Sequence, residues 1–392
     1  MSLELNRRAA NVKVPGTRQL ANLLANDIDA TNLTIGQPDF PTPERVQQAG
    51  IRAIQENKTS YSHNFGIIEA RRAIASFFQD KYNVEYDPET EILITSGSSE
   101  GLDSVFRTIL DEGDEVVIPA PAYMNYQAPI ELNGAKAVFF DTSDTGFLPT
   151  AEKLEEMINE NTKAVLFNYP TNPTGVTIPK EVMDELVEVL VKHDVYIVSD
   201  EIYSENVFGM EHHTFAAYPE IRDRLFLIHG LSKSHSMTGW RIGYVLAPAE
   251  LLAYVSRIHA YNCVCANIPG QYAAVEALTN CREASEEMNK EYIKRRDYLY
   301  KALTEMGIES VLPNGAFYIF PSIKKFGMSS QEFTMRLLEE GGVAVLPGNN
   351  FTEYGEGFIR ISYSYAMPEL EKGMEKLKAF VEKLEKEASV EV

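Results

Sequence analysis

The sequence predicts an α/β protein with a mainly parallel central sheet, helices on both faces, and a smaller α+β domain. Three observations predict this. Short apolar runs alternate with amphipathic stretches as far as about residue 280, and strands that alternate with helices build parallel sheets whose crossovers cover both faces. The pattern changes after that point. At 392 residues the chain also exceeds what one compact core accommodates. We therefore expect residues 1–45 to form an N-terminal arm and part of a small domain, 46–280 a large domain, and 281–392 the small C-terminal domain.

The expected strands are E-I-L-I-T (91–95), E-V-V-I-P (115–119), A-K-A-V-F-F (135–140), K-A-V-L-F-N (163–168), D-V-Y-I-V-S-D (194–200), R-L-F-L-I-H (224–229) and I-G-Y-V-L-A (242–247). All read as strands buried on both faces. Stretches such as 100–110 and 179–192 carry helical periodicity between them. A long charged helix, roughly 282–306, then leads into G-A-F-Y-I-F-P, V-A-V-L-P-G and F-I-R-I-S-Y, and the chain closes with a Lys/Glu-rich helix. Internal repeats and low-complexity linkers are absent from the sequence.

Hydrophobic residues make up 44% of the chain and charged residues 24%, the composition of a soluble globular enzyme. Lysine and arginine total 36 against 57 acidic residues, giving a formal net charge of −21 without a basic tail. Nucleic acid and anionic membrane are thereby disfavoured as partners. M-S-L-E-L-N-R-R-A-A holds no apolar signal core, and no apolar run is long enough to span a bilayer, so the expected location is cytoplasmic. Cys263, Cys265 and Cys281 are an odd number without paired zinc spacing, as reduced thiols would be.

Open α/β sheets bind ligands beyond the carboxyl ends of their strands, so the residues after each run carry the functional reading. S-G-S-S-E-G-L places Gly97, Ser98 and Ser99 at the start of a helix, where backbone N–H groups suit a phosphate. An N-cap serine after a turn fits the same residues. D-E-I-Y puts Asp200 and Tyr203 where the fifth run leaves the sheet, as a helix cap, a surface carboxylate or a partner for a heteroaromatic nitrogen. Asn172 lies in N-Y-P-T-N-P-T-G, whose prolines and glycine are ordinary turn chemistry. Lys233 follows the sixth run in H-G-L-S-K-S-H-S-M-T-G-W-R. Alone it reads as a solvated loop lysine. Beside Ser232, Ser234 and Arg241, a guanidinium suited to phosphate, it also reads as an amine that condenses with an aldehyde. A lysine, a phosphate cradle, a carboxylate and a phenol at successive strand ends describe a pyridoxal 5'-phosphate (PLP) site.

S-K-x-x-x-M-T-G-W-R-I-G-Y, N-P-T-G, D-E-I-Y, I-G-Q-P-D-F-P-T-P and Y-S-H-N-F-G-I-I-E-A-R-R together resemble the class I/II, fold type I PLP-dependent aminotransferases. H-G-L-S-K-S-H-S-M-T-G-W-R-I-G and G-A-F-Y-I-F-P-S-I-K are most similar to the bacterial branch acting on N-acetyl-L,L-diaminopimelate in lysine biosynthesis, and to aromatic amino acid aminotransferases. The resemblance implies that Lys233 is the Schiff-base lysine and that Asp200 faces the pyridine nitrogen. It implies that Tyr203 and Asn172 bind the ring's 3-hydroxyl oxygen and that Tyr123 stacks on the ring. Ser98, Ser99 and Arg241 match the phosphate cradle, and Tyr61 matches a tyrosine that reaches the phosphate in the partner subunit of a homodimer with shared active sites. Arg360 matches the clamp for the substrate α-carboxylate, with Gly36 lining the same pocket. Many relatives carry a phosphate-binding serine where this chain has Gly230; Ser232 is the expected replacement. The implied reaction moves an amino group from an L-amino acid to a 2-oxo acid such as 2-oxoglutarate, without a metal.

Fold and cofactor alone also admit a PLP-dependent carbon–sulfur β-lyase, which would release pyruvate and ammonia without an amino acceptor. A non-catalytic scaffold is the third reading, opposed by the presence of the whole residue set. His212 and His213 are expected to cap or solvate a polar loop. His235 is expected either at the pocket rim or in a turn.

Overall fold

Alternation of apolar side chains along each strand, combined with crossovers that place helices above and below, fixes the architecture. The computed structural model describes residues 3–12 and 30–390. The seven runs form strands β1 (Ile92–Thr95), β2 (Glu115–Ala120), β3 (Lys136–Asp141), β4 (Thr162–Asn168), β5 (Tyr196–Asp200), β6 (Leu225–Gly230) and β7 (Gly243–Leu246) of one sheet, in the order β1-β7-β6-β5-β4-β2-β3. Successive residues point to opposite faces. Val165, Phe167, Ile197 and Leu227 enter one core, while Ala164, Leu166, Val198, Phe226 and Ile228 enter the other. The expectation of burial on both faces fails at β3. This strand is at the sheet edge, paired on one side only, and most of it is half-buried.

Strands β2 to β6 run parallel to one another, whereas β7 is antiparallel to both β1 and β6. Gly243 at the start of β7 pairs with Thr95 at the end of β1 and with Gly230 at the end of β6. The beginning of β7 thus shares an edge with the carboxyl ends of the parallel strands. Helices α1 (Ser98–Ile109) and α3 (Ala249–Cys263) cover one face through Leu102, Val105, Phe106, Leu252 and Val255. The other face is covered by α2 (Lys180–Lys192) and α4 (Ile268–Asn280), through Met183, Leu186, Leu190, Ala273 and Ala277.

Beyond α4, the helices α5 (Ala284–Glu305) and α6 (Met367–Val390) pack around a separate core containing Tyr292, Leu299, Leu303, Phe317, Leu370 and Leu377. A three-stranded antiparallel sheet, with Ile359–Ser362 between Leu346–Pro347 and Tyr318–Ile319, lines it. Near the other end of the chain, Thr31–Asn32 pairs in parallel with Val343–Ala344. The segment that follows is tied to α5 by a bidentate ion pair, Arg295 Nη1 and Nη2 donating to Asp39 at 2.8 and 3.0 Å. Arg295 is 4% exposed, and its guanidinium also lies 5.1 Å from the Phe40 ring centroid.

Removing the Asp39 carboxylate leaves that buried guanidinium with Glu291, 3.7 Å from its Nε, as its remaining counter-charge; breaking a fully buried pair costs about 3–5 kcal/mol. Asp39 is partly exposed, so the loss is expected at the lower end. Asp39→Ala should lower the unfolding free energy by about 3 kcal/mol in urea denaturation; a change below about 0.5 kcal/mol would show that the pair contributes only as a surface contact.

Candidate active site

The shared edge gathers residues that lie far apart in sequence. Asp200 ends β5, Tyr123 follows β2, Asn172 follows β4, Lys233 follows β6, Arg241 precedes β7, and Ser98 and Ser99 open α1. With Tyr203, Ser232, Gly36 and Arg360 they line one cavity of about 400 Å³. Of the site residues expected from sequence, only Tyr61 lies outside it, with 82% of its surface exposed.

Two glycines make the close approaches possible. Gly97 has φ +79°, and a Cβ there would sit 2.3 Å from Arg241 Nη2, so its absence lets the guanidinium reach the first turn of α1. Anions are favoured at this point by the helix N-terminus and the arginine together. At Gly36, a Cβ would meet the Tyr318 hydroxyl at 1.8 Å. The Gly36 carbonyl accepts a hydrogen bond from Lys233 Nζ at 2.7 Å.

Charge in the cavity is unbalanced. Lys233, Arg241 and Arg360 are its cations, and Asp200 is its one carboxylate, among the described residues. Asp200 is buried, and its pKa is pushed up to about 6 by burial, which disfavours the charged form. The Tyr126 hydroxyl opposes this by donating to Oδ2 at 2.8 Å, and the Ile202 N–H donates to Oδ1 at 3.2 Å. The Lys233 amine is lowered to about 8, by burial first and then by the charges of Arg360 and Arg241. Arg360 is 3% exposed. Its Nη1 donates to Asn172 Oδ1 at 2.8 Å, its Nη2 bonds the Thr34 carbonyl, and its Nε is buried without a partner. Burial lowers the Arg360 pKa, and its guanidinium lies 4.4 Å from the Tyr318 ring centroid. A buried guanidinium held by neutral acceptors, with an unpartnered N–H, has the chemistry to attract an acidic ligand.

Among the cavity residues that escaped the sequence reading are two tyrosines that bond expected site residues. Tyr126 binds Asp200, and its signal was present in P-A-Y-M-N-Y, where it follows Tyr123 by three positions and packs edge-on against it. Tyr318, within G-A-F-Y-I-F-P, stands 2.8 Å from the Tyr203 hydroxyl. One histidine expectation is corrected, and the other is decided between its two alternatives. The His212 side chain is 3% exposed, and its Nε2 lies 2.8 Å from Glu201 Oε2, because the buried Glu201 needs a partner there. It therefore belongs to a buried pair and does not solvate the loop. His235 lies in the buried turn, bonded to Ser234 Oγ and the Cys281 carbonyl, and does not line the cavity.

A sequence profile of the family "Aminotransferase class I and II" matches residues 28–377. The chain belongs to the class I and II aminotransferases. It is 46% identical to a probable N-acetyl-LL-diaminopimelate aminotransferase of Bacillus subtilis, over 96% of this chain and 95% of that one. It is 37% identical to aromatic-amino-acid aminotransferase 2 of Thermococcus litoralis, over 96% and 97% of the two chains. Thermus thermophilus aspartate aminotransferase, solved with maleate, superposes with a TM-score of 0.91 at 34% identity, covering 96% of this chain and all of that one. The fold is that of the fold type I enzymes. This aminotransferase is PLP-dependent, and the cavity fits the cofactor. The approach of Arg241 to α1 past the missing Cβ of Gly97 suits a phosphate, and the buried Asp200 suits a protonated ring nitrogen. Among the described residues no helix is long and apolar enough to cross a membrane.

The lowered Lys233 pKa has a direct readout. In the cofactor-free protein the neutral amine should predominate above about pH 8. Its rate of reaction with an amine-selective reagent, followed by peptide mapping, should be half-maximal near pH 8. A midpoint at the ordinary 10.5 would show an amine free of desolvation.

Proposed function

We propose that this aminotransferase takes N-acetyl-L,L-diaminopimelate or an aromatic amino acid as donor and a 2-oxo acid such as 2-oxoglutarate as acceptor, in the cytoplasm, and that the diaminopimelate reaction serves lysine biosynthesis. The observation that carries the residue assignments is the buried, acid-seeking Arg360 in one cavity with Lys233 and Asp200. The Bacillus relative's name supports the first donor and the Thermococcus relative's name the second. Neutral residues, among them Ile35, Gln37, Met124 and Asn125, make up most of the remaining wall.

When bound, PLP supplies an electron sink for the charge that develops at the substrate Cα. The roles of the chain's own groups follow from their positions. Ser98, Ser99, Ser232 and Arg241 hold the phosphate. Asp200 stays ionised against the ring nitrogen and keeps a proton on that atom, with Tyr126 orienting the carboxylate. Tyr203 and Asn172 would bind the 3-hydroxyl oxygen, and Tyr123 would stack on the ring. Arg360 grips the substrate α-carboxylate beside Gly36, aligning the Cα–H bond. Lys233 would hold the cofactor, and its free amine would carry the Cα proton as general base and then general acid. An amine whose pKa lies near the working pH can both accept and return that proton.

We further propose the domain division 1–45, 46–280 and 281–392, with the first segment belonging in part to the small domain. The separate core around α5 and α6, and the pairing of Thr31–Asn32 with Val343–Ala344, support it. The enzyme is proposed to act as a homodimer in which the exposed Tyr61 completes the second subunit's phosphate site.

A donor screen with 2-oxoglutarate tests the substrate assignment, with glutamate as product and turnover dependent on the acceptor. Arg360→Ala should lower kcat/KM by about 2–5 kcal/mol, as truncation of a buried charge pair does. A loss within threefold would overturn the assignment of Arg360. For the shared site, Lys233→Ala and Tyr61→Ala chains are mixed and allowed to exchange. Activity above the sum of the two parents is expected, since each hybrid then holds one wild-type site. No gain on mixing would refute action between subunits.

A further inference from the structure

On the face of the sheet covered by α1 and α3, the first turn of α1 meets the last turn of α3. Glu100, His259 and Cys263 each contribute one metal-ligating atom there, and these atoms lie within 4.8 Å of one another. It is the one such group of three among the described residues, and none of its members lines the catalytic cavity. His259 Nδ1 is 3.0 Å from Glu100 Oε2 and 3.5 Å from Cys263 Sγ. Tetrahedral zinc, with bonds of about 2.0–2.3 Å, holds its ligand atoms roughly 3.3–3.8 Å apart, so the required adjustments are a few tenths of an ångström at these two contacts.

The carboxylate of the cluster is supported from outside it. Ser104 Oγ donates to Glu100 Oε1 at 2.6 Å and the Ser96 N–H donates to Oε2 at 3.1 Å, fixing the carboxylate as outer partners of metal ligands do. His259 is fully buried, and it shares a face of α3 with Cys263 by four-residue spacing. A separate observation lies immediately after Cys263. Val264 has φ +64° and ψ −58°, and the Cys265 N–H reaches back to the Cys263 carbonyl at 2.7 Å. A β-branched residue in this conformation is strained, and such strain persists at sites whose surroundings hold it in place.

We propose that Glu100, His259 and Cys263 form a zinc site, with water as the fourth ligand, joining the start of α1 to the end of α3. A mixed carboxylate, imidazole and sulfur set suits Zn²⁺ better than Mg²⁺ or Ca²⁺, which prefer oxygen alone. Binding forms a zinc–sulfur bond in place of the Cys263 S–H bond. The proton goes to solvent, and no group changes oxidation state. Because Glu100 directly follows Ser98 and Ser99, the site anchors the turn that opens toward the catalytic cavity.

The test uses the holoenzyme, equilibrated with Zn²⁺ and then dialysed against metal-free buffer. Elemental analysis should find about one zinc per chain in the wild type. Cys263→Ser and His259→Gln should each bind zinc at least about tenfold more weakly, with transamination retained as evidence of folding. Co²⁺ in place of zinc should give the visible bands of a four-coordinate ion, at wavelengths longer than the cofactor absorbs, and these should vanish in Cys263→Ser. Should His259→Gln fail to fold, Cys263→Ser and the Co²⁺ spectrum still decide the matter. Zinc that fails to bind the wild type, or that binds the variants equally well, would overturn the proposal.

Discussion

The antiparallel insertion of β7 between β1 and β6 is the constraint on which the site depends. Parallel strands deliver only the residues that follow them, so a residue that precedes a strand normally lies at the opposite edge of the sheet. Reversing one strand brings its leading residue, Arg241, to the edge already occupied by Lys233 and the start of α1. The pairing of Gly243 with Thr95 and with Gly230 fixes this register. A one-residue slip would turn the alternating side chains of β7 to the wrong faces. Correct packing of the core therefore also aligns the cradle.

Electrostatics follows from that convergence. Cations with few anionic neighbours in a cavity screened from water raise one another's cost of ionisation. The lowered amine of Lys233 and the raised carboxyl of Asp200 share a first cause, burial. They differ in what can relieve it: a cationic partner would relieve the carboxylate, whereas the amine escapes the cost by losing its proton. The Tyr126 hydroxyl bond holds Asp200 in one orientation while it carries its charge. Arg360 completes the pattern, because its hydrogen-bond partners are neutral and leave its charge uncompensated.

Much of this was legible in the sequence because it was local. Strand runs such as 163–168 and 224–229 carry their own burial signal, and Asp200, Lys233 and Arg241 sit next to strand boundaries where ligand chemistry is expected. The partners of those residues were harder to read. Tyr126 contacts Asp200 across 74 positions, and Asp39 reaches Arg295 across 256. Neither pairing leaves a periodic trace. His212 read as a loop residue because its surroundings are polar in sequence, yet the buried Glu201 draws it inward. The half-buried β3 has the apolar content of a central strand, and only its place at the end of the strand order reveals it as an edge.

The cavity wall also records an order of assembly. Lys233 meets Gly36 across 197 positions, Arg360 meets Asn172 across 188, and Arg360 meets Thr34 across 326. Closing such long loops is entropically slow and is rewarded only when both ends are in place. Ile359–Ser362 is made after the whole central sheet, so a nascent chain can complete that sheet and its helices while the Arg360 wall of the cavity is still unmade. The site is thus a late product of folding, and its completeness reports that the segments before and after the central sheet have come together.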